Sequence, residues 1–130
     1  MDIVTKRKLN ILIQLAEADQ DFAKSEREMI YRIARDRKFE EEVVNALIRN
    51  PEPIESLGAL SQAQKFDYLT SCIELIFVDE KVRDSEVIFA RNIAIKLGFK
   101  KIIIDYLVQN FSKTPIDELK ATILTQYTLP

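Results

Sequence analysis

Residues 15–39, LAEADQDFAKSEREMIYRIARDRKF, fall without a gap on residues 75–99, LIFVDEKVRDSEVIFARNIAIKLGF. Leu15 meets Leu75, Asp19 meets Asp79, Ser25-Glu26 meets Ser85-Glu86, Ile33-Ala34 meets Ile93-Ala94, and Phe39 meets Phe99. Further along, Leu47 meets Leu107, and after a shift of two residues Pro53-Ile54 meets Pro115-Ile116 and Leu57 meets Leu119. Amphipathic helices produce chance coincidences of Leu and Ile. Asp, Ser-Glu and Pro at fixed places are a stronger sign of duplication. The expectation is an all-α fold: a compact bundle of about seven or eight helices in one domain, 1–130. Two similar halves, about 1–60 and 61–130 and offset by about 60 residues, would share one core, because one half alone buries too little apolar surface.

Working outward, residues 2–18 carry Leu9, Leu12, Ile13 and Ala16 at helical spacing. Ser25 and Glu28 read as a capping box before a helix lined by Met29, Ile30, Ile33 and Ala34. A short helix is expected over about 40–49, and Asn50-Pro51-Glu52-Pro53 then breaks the chain. Ser61 and Gln64 form another box, followed by Phe66, Leu69, Cys72, Ile73, Ile76 and Phe77. Asp84 or Ser85 is expected to cap the next helix, and Gly98 to end it in the left-handed conformation. Residues 100–109 read as a short helix despite the β-branched run Ile102-Ile103-Ile104, because their flanks and repeat partner are helical. Pro115 is expected at the first position of a last helix carrying Ile116, Leu119 and Ile123. Each half is expected to end in such a proline-started helix.

Composition excludes more than it suggests. The 130 residues hold 47% hydrophobic and 31% charged side chains, an ordinary globular balance. There is no histidine, which removes Ser-His triads, Cys-His dyads, HExxH zinc sites and the two-His facial triad. Cys72 is the only cysteine, so neither an intrachain disulfide nor a cysteine zinc site can form. It reads as a core residue, with no histidine to activate it. Gly58 and Gly98 are the only glycines, too few and too far apart for a phosphate-binding loop. The net charge of −2 argues against a nucleic-acid binder, so Lys6-Arg7-Lys8 and the cluster Arg32, Arg35, Arg37 and Lys38 read as solvated helix faces. No signal peptide or membrane-spanning run is evident, and with one cysteine a cytoplasmic location is expected.

The halves differ in a directed way. Arg27, Glu28, Arg35, Arg37 and Glu42 align with Val87, Ile88, Ile95, Leu97 and Ile102. Ala23 to Arg83 and Tyr31 to Arg91 run the other way. The second half is therefore more apolar all round. Central placement of its helices is the favoured explanation. An exposed patch for another chain is the alternative, with Val87, Ile88, Ile95 and Ile102 as candidate interface residues.

The residues suited to chemistry lie in the aligned turns: Glu17, Asp19 and Asp21 before Glu26, then Glu74, Asp79, Glu80 and Asp84 before Glu86. Clustered carboxylates repel one another unless a cation joins them, and oxygen ligands suit hard ions such as Ca²⁺ or Mg²⁺. The plain alternative is that these residues cap helices and accept turn amides. The turns do not fit the EF-hand, lacking its glycine and its twelfth-position glutamate. Carboxylate pairs also leave open a small hydrolase as a minor alternative, although no tryptophan is present to line a sugar cleft.

At these turns the chain resembles the TerB-like family, named for tellurite-resistance proteins and shared with the N-terminal domain of the DjlA type of DnaJ-like protein. The motif is an apolar helix ending in Ala-Asp-Gly, a short turn, and a Glu opening the next helix. Here it reads Leu15-Ala16-Glu17-Ala18-Asp19-Gln20-Asp21-Phe22 leading to Glu26, and again Phe77-Val78-Asp79-Glu80-Lys81-Val82 leading to Glu86. Gln20 and Glu80 stand where the family has glycine. The resemblance covers about residues 8–110 and implies an all-helical, duplicated bacterial domain linked to stress and tellurite resistance. It implies a divalent metal at Asp19, Glu26, Asp79 and Glu86, to which Asp21 and Glu80 are the neighbouring candidates. The expected function is a non-enzymatic cytoplasmic interaction module, with Ca²⁺ or Mg²⁺ as the candidate cofactor. A homodimer is the candidate assembly; no nucleic-acid partner and no membrane insertion are expected. The alternative is a structural or self-associating domain with no metal.

Overall fold

Two helices bury nearly their whole circumference, and the rest of the chain is arranged around them. A computed structural model of the chain describes residues 2–18, 22–78 and 82–129. Its helices are α1 (Ile3–Ala16), α2 (Lys24–Asp36), α3 (Glu41–Arg49), α4 (Gln62–Phe77), α5 (Asp84–Lys96), α6 (Ile103–Asn110) and α7 (Ile116–Gln126). Among the described residues there is no strand beyond an isolated bridge between Phe99 and Thr128. The all-α expectation holds, with seven helices among the described residues.

In α1, Lys8 through Ile13 are all buried, and in α4 so are Tyr68 through Ile73. Six buried residues in a row exceed one helical turn, so the middle of each helix is enclosed on every side. α1 packs against α2, α3, α4 and α5, and α4 packs against α5 and α6. Polar links join the central pair. Lys8 Nζ lies 2.8 Å from Asp67 Oδ2, and the Tyr68 hydroxyl donates to the Val4 carbonyl at 2.5 Å. Burial pushes the Tyr68 hydroxyl up to a pKa of about 12, so it stays a donor. The flanking helices bury single faces: Met29, Ile30 and Ala34 in α2, Val44 and Leu47 in α3, Ala90, Ile93 and Ala94 in α5, and Ile103, Ile104 and Leu107 in α6.

Helix ends follow local chemistry. Asp2 caps α1, its Oδ1 accepting from the amides of Val4 at 3.0 Å and Thr5 at 3.3 Å. Ser61 and Gln64 exchange hydrogen bonds at 3.1 and 2.9 Å, the expected capping box. α2 and α5 are both 13 residues long and close in the same manner. Phe39 N–H donates to the Ala34 carbonyl and Phe99 N–H to the Ala94 carbonyl, across Lys38 at φ 63° and Gly98 at φ 92°. Polar side chains also join adjacent helices. Tyr31 donates to Asn45 between α2 and α3, and Arg91 pairs with Asp105 at 2.5 Å between α5 and α6.

Several expectations need correction. Ser25 is not the cap of α2, nor is Asp84 or Ser85 that of α5; the N-cap positions are Ala23 and Arg83. Pro115 is the N-cap of α7 rather than its first residue, and Ile116 faces solvent, 55% exposed. No helix follows Pro53. Asn10, itself buried, donates to the Glu52 carbonyl at 2.9 Å and accepts from the Glu52 amide at 3.0 Å. Gln14 donates to the same carbonyl at 2.7 Å. The Glu52 backbone is thus engaged by α1, and residues 51–57 run without helix. At the other end, Lys100 N–H donates to Tyr127 O and Leu129 N–H to Gly98 O, tying the C-terminal segment to the turn after α5.

Candidate functional site

Glu26 and Glu86 each occupy the third position of a helix, in α2 and α5, and each is 1% exposed. The first turn of a helix has amides without intrahelical partners and the positive end of the macrodipole, which favour a carboxylate. Glu26 Oε1 accepts from the Ala23 amide at 3.0 Å, the reaching-back half of a capping box whose N-cap has no hydroxyl. The acid that serves α2 is therefore Glu26, not Glu28. Glu28 points to solvent near Lys24, 3.9 Å away. Arg27 places its guanidinium 4.4 Å from the centroid of the Phe22 ring. Asp19, Asp21, Asp79 and Glu80 lie outside the described residues. Among the described residues, no group of three or more His, Cys, Asp or Glu side chains is placed to hold a metal.

The four apolar candidates divide. Val87 is half-buried and packs against the core. Ile88, Ile95 and Ile102 are 55%, 46% and 54% exposed. The favoured explanation for the apolar second half, central helices, fits α4 but is corrected for α5. The central helices are α1 and α4, and α5 flanks them. An all-round apolar pattern arises from enclosure in α4 and from exposed isoleucines in α5.

Other residues behave differently from their sequence reading. Lys8 belongs to a basic triplet expected on a solvated face, yet it is buried and paired with Asp67. Its neighbour Lys6 pairs with Glu52 at 3.2 Å. Arg32, Arg35, Arg37 and Lys38 are exposed, as expected of a solvated face. Glu74 lines an apolar hollow with Phe77, Val78 and Phe111, and desolvation raises its carboxyl above the ordinary range. Cys72 is buried, and desolvation pushes its thiol up to about 12, so it is a neutral core group at neutral pH. Asn10 is a structural residue that helical periodicity does not mark. The signal available was a polar residue inside the apolar run Leu9–Ile13.

No helix among the described residues is long and apolar enough to cross a membrane. Compared with known proteins, the chain matches no family model, no curated protein and no solved structure.

Proposed function

We propose that this chain is a non-enzymatic, cytoplasmic helical interaction module of the TerB-like type, built by internal duplication, whose two acidic turns bind a hard divalent cation, Ca²⁺ or Mg²⁺. The observation that carries the cation reading is the matched burial of Glu26 and Glu86, each 1% exposed beside an acidic turn. Two buried carboxylates at equivalent positions, each following an acidic stretch of sequence, argue for a shared purpose. The duplication is supported by coincidences at one offset: the bounds of α2 and α5, and the buried runs Lys8–Ile13 and Tyr68–Ile73. The left-handed residues Lys38 and Gly98, and the cross-helix links Tyr31–Asn45 and Arg91–Asp105, fall at the same spacing. A non-enzymatic role is supported by the absence of histidine and by the deeply buried, neutral thiol of Cys72.

A thermal melt with and without cation tests the reading. Ca²⁺ or Mg²⁺ at a hundredfold its Kd stabilises the folded state by about 2.7 kcal/mol. For a domain of this length that is a rise in Tm of several degrees. Replacing both Asp19→Ala and Asp79→Ala is expected to abolish the rise. A wild-type melt that does not move between EDTA and millimolar cation removes the cation from the proposal.

A further inference from the structure

Three exposed isoleucines, Ile88, Ile95 and Ile102, recur at intervals of seven residues. Ile88 and Ile95 lie two turns apart on one stripe of α5, with Asp84 before them and Arg91 between, the i, i+4, i+7, i+11 pattern of a helix that packs on another. The aligned residues of the first half, Glu28, Arg35 and Glu42, are exposed as well, and they are charged. The same three places therefore face water in both halves, with charge in one and isoleucine in the other. Burial within one chain does not account for the exchange.

We propose that this stripe is the interface of a homodimer, in which α5 of a second copy packs antiparallel across a two-fold axis, with Ile88 of each chain against Ile95 of the partner subunit. The charges select a copy of the same chain as the occupant. The stripe is acidic at its start, at Asp84, and exposed lysines follow its end, at Lys100 and Lys101. An antiparallel pair sets each Asp84 near the partner's lysines and opposes the two helix dipoles, whereas a parallel pair sets like charges together. Arg91 falls close to the axis. Its guanidinium is already paired with Asp105 at 2.5 Å, so the two copies meet there as ion pairs rather than as bare cations. Such self-complementarity is what a two-fold interface requires. α5 is about 20 Å long at 1.5 Å per residue. Its stripe is therefore small beside the roughly 800 Å² per partner of a standard interface, and the dimer is expected to be weak and concentration-dependent.

The proposal rests on the interaction-module reading but not on the cation, so sedimentation equilibrium of the full chain is run in EDTA, from low micromolar to millimolar protein. The mean mass is expected to rise from the 15.1 kDa of one chain toward twice that value. A variant with both Ile88→Glu and Ile95→Glu, and another with both Ile88→Lys and Ile95→Lys, are each expected to stay monomeric while keeping the wild-type helical circular dichroism. Mixing the two variants is expected to restore the doubled mass, because each Glu then faces a Lys. Ile3→Glu, also at an exposed isoleucine, is expected to dimerise as the wild type does. A wild-type monomer at every concentration overturns the proposal, as does a dimer that survives in the Glu variant or a mixture that stays monomeric. A monomer whose melt still rises with Ca²⁺ removes the dimer alone; a monomer with a flat melt removes the cation as well.

Discussion

Asn10 shows how much one polar residue can decide. Its side-chain amide matches both the N–H and the C=O of Glu52, so a segment between two prolines is fixed to α1 as though to a neighbouring strand. Asn10→Ala removes the partner of the Glu52 amide and one of the two donors to its carbonyl, Gln14 being the other, and the expected cost is about 1–3 kcal/mol. Urea denaturation measures it; a loss below a few tenths would mean that water replaces the amide at no cost. At the same scale, the carboxylates divide by the sign of their pKa shifts. Asp2 is held below its ordinary value of 3.8 first by the Thr5 hydroxyl, and Glu42 below 4.5 first by Arg49. Depressed groups add stability that is present above the unfolded pKa and lost as pH falls through the folded one. Glu74 is shifted the other way: desolvation raises its carboxyl, against Lys8, and the folded state then binds a proton the unfolded state has released. Its contribution therefore falls as pH rises through and above 4.5. Glu74→Gln is expected to raise Tm at pH 7 and to leave it unchanged well below pH 4, where wild type is protonated in both states. An equal effect at both pH values would show that charge is not the cause.

At the scale of elements, helix positions were largely legible in the sequence and helix beginnings were not. The capping box at Ser61 was readable because a hydroxyl and an amide stood at the required spacing. At α2 the same pattern, Ser25 with Glu28, was misleading. The helix starts earlier, where Ala23 offers no side-chain acceptor and Glu26 supplies the reciprocal bond. Gly98 was readable at the end of α5 because no other residue takes a positive φ so cheaply. Its counterpart Lys38 was not, since nothing in a lysine announces φ 63°. These two positions make a paired prediction. A Cβ on Gly98 meets only the end of the Lys65 side chain, at 3.9 Å, so Gly98→Ala carries the conformational cost alone, about 1–2 kcal/mol. Lys38→Gly should act in the opposite direction, relieving the left-handed strain by up to about 1 kcal/mol net of the added chain entropy. Chemical denaturation of both variants reads the difference, and a Lys38→Gly variant less stable than wild type would show that the lysine side chain makes a compensating contact.

For the whole molecule, the sequence pattern did not say which helices form the centre of the core. Periodicity locates an apolar face; it fails where a helix has none to spare for solvent. In α1, Lys8 and Asn10 interrupt the apolar run and are buried all the same. The acidic turns are clustered in the sequence, and among their acids burial marks Glu26 and Glu86 as core-facing. The centre that results is divided between the halves of the chain. α1 comes from the first and α4 from the second, and the Lys8–Asp67 pair and the Tyr68–Val4 hydrogen bond cross between them. Removing either half strips the other of its main packing surface, exposing side chains such as Leu12, Ile13, Leu69 and Ile73 that are wholly buried together in the intact chain. A segment of about 60 residues is already near the lower limit for an independent core, and one that has lost a whole face of it falls below that limit. Residues 1–60 and 61–130 expressed separately are therefore expected to show little cooperative melting and to expose apolar surface to a dye, whereas the full chain melts in one transition. Mixing the two pieces should recover helical signal, because each supplies the surface the other lacks. A sharp melt in either piece alone would mean that the halves are separate folding units and that the shared centre is only a contact between them.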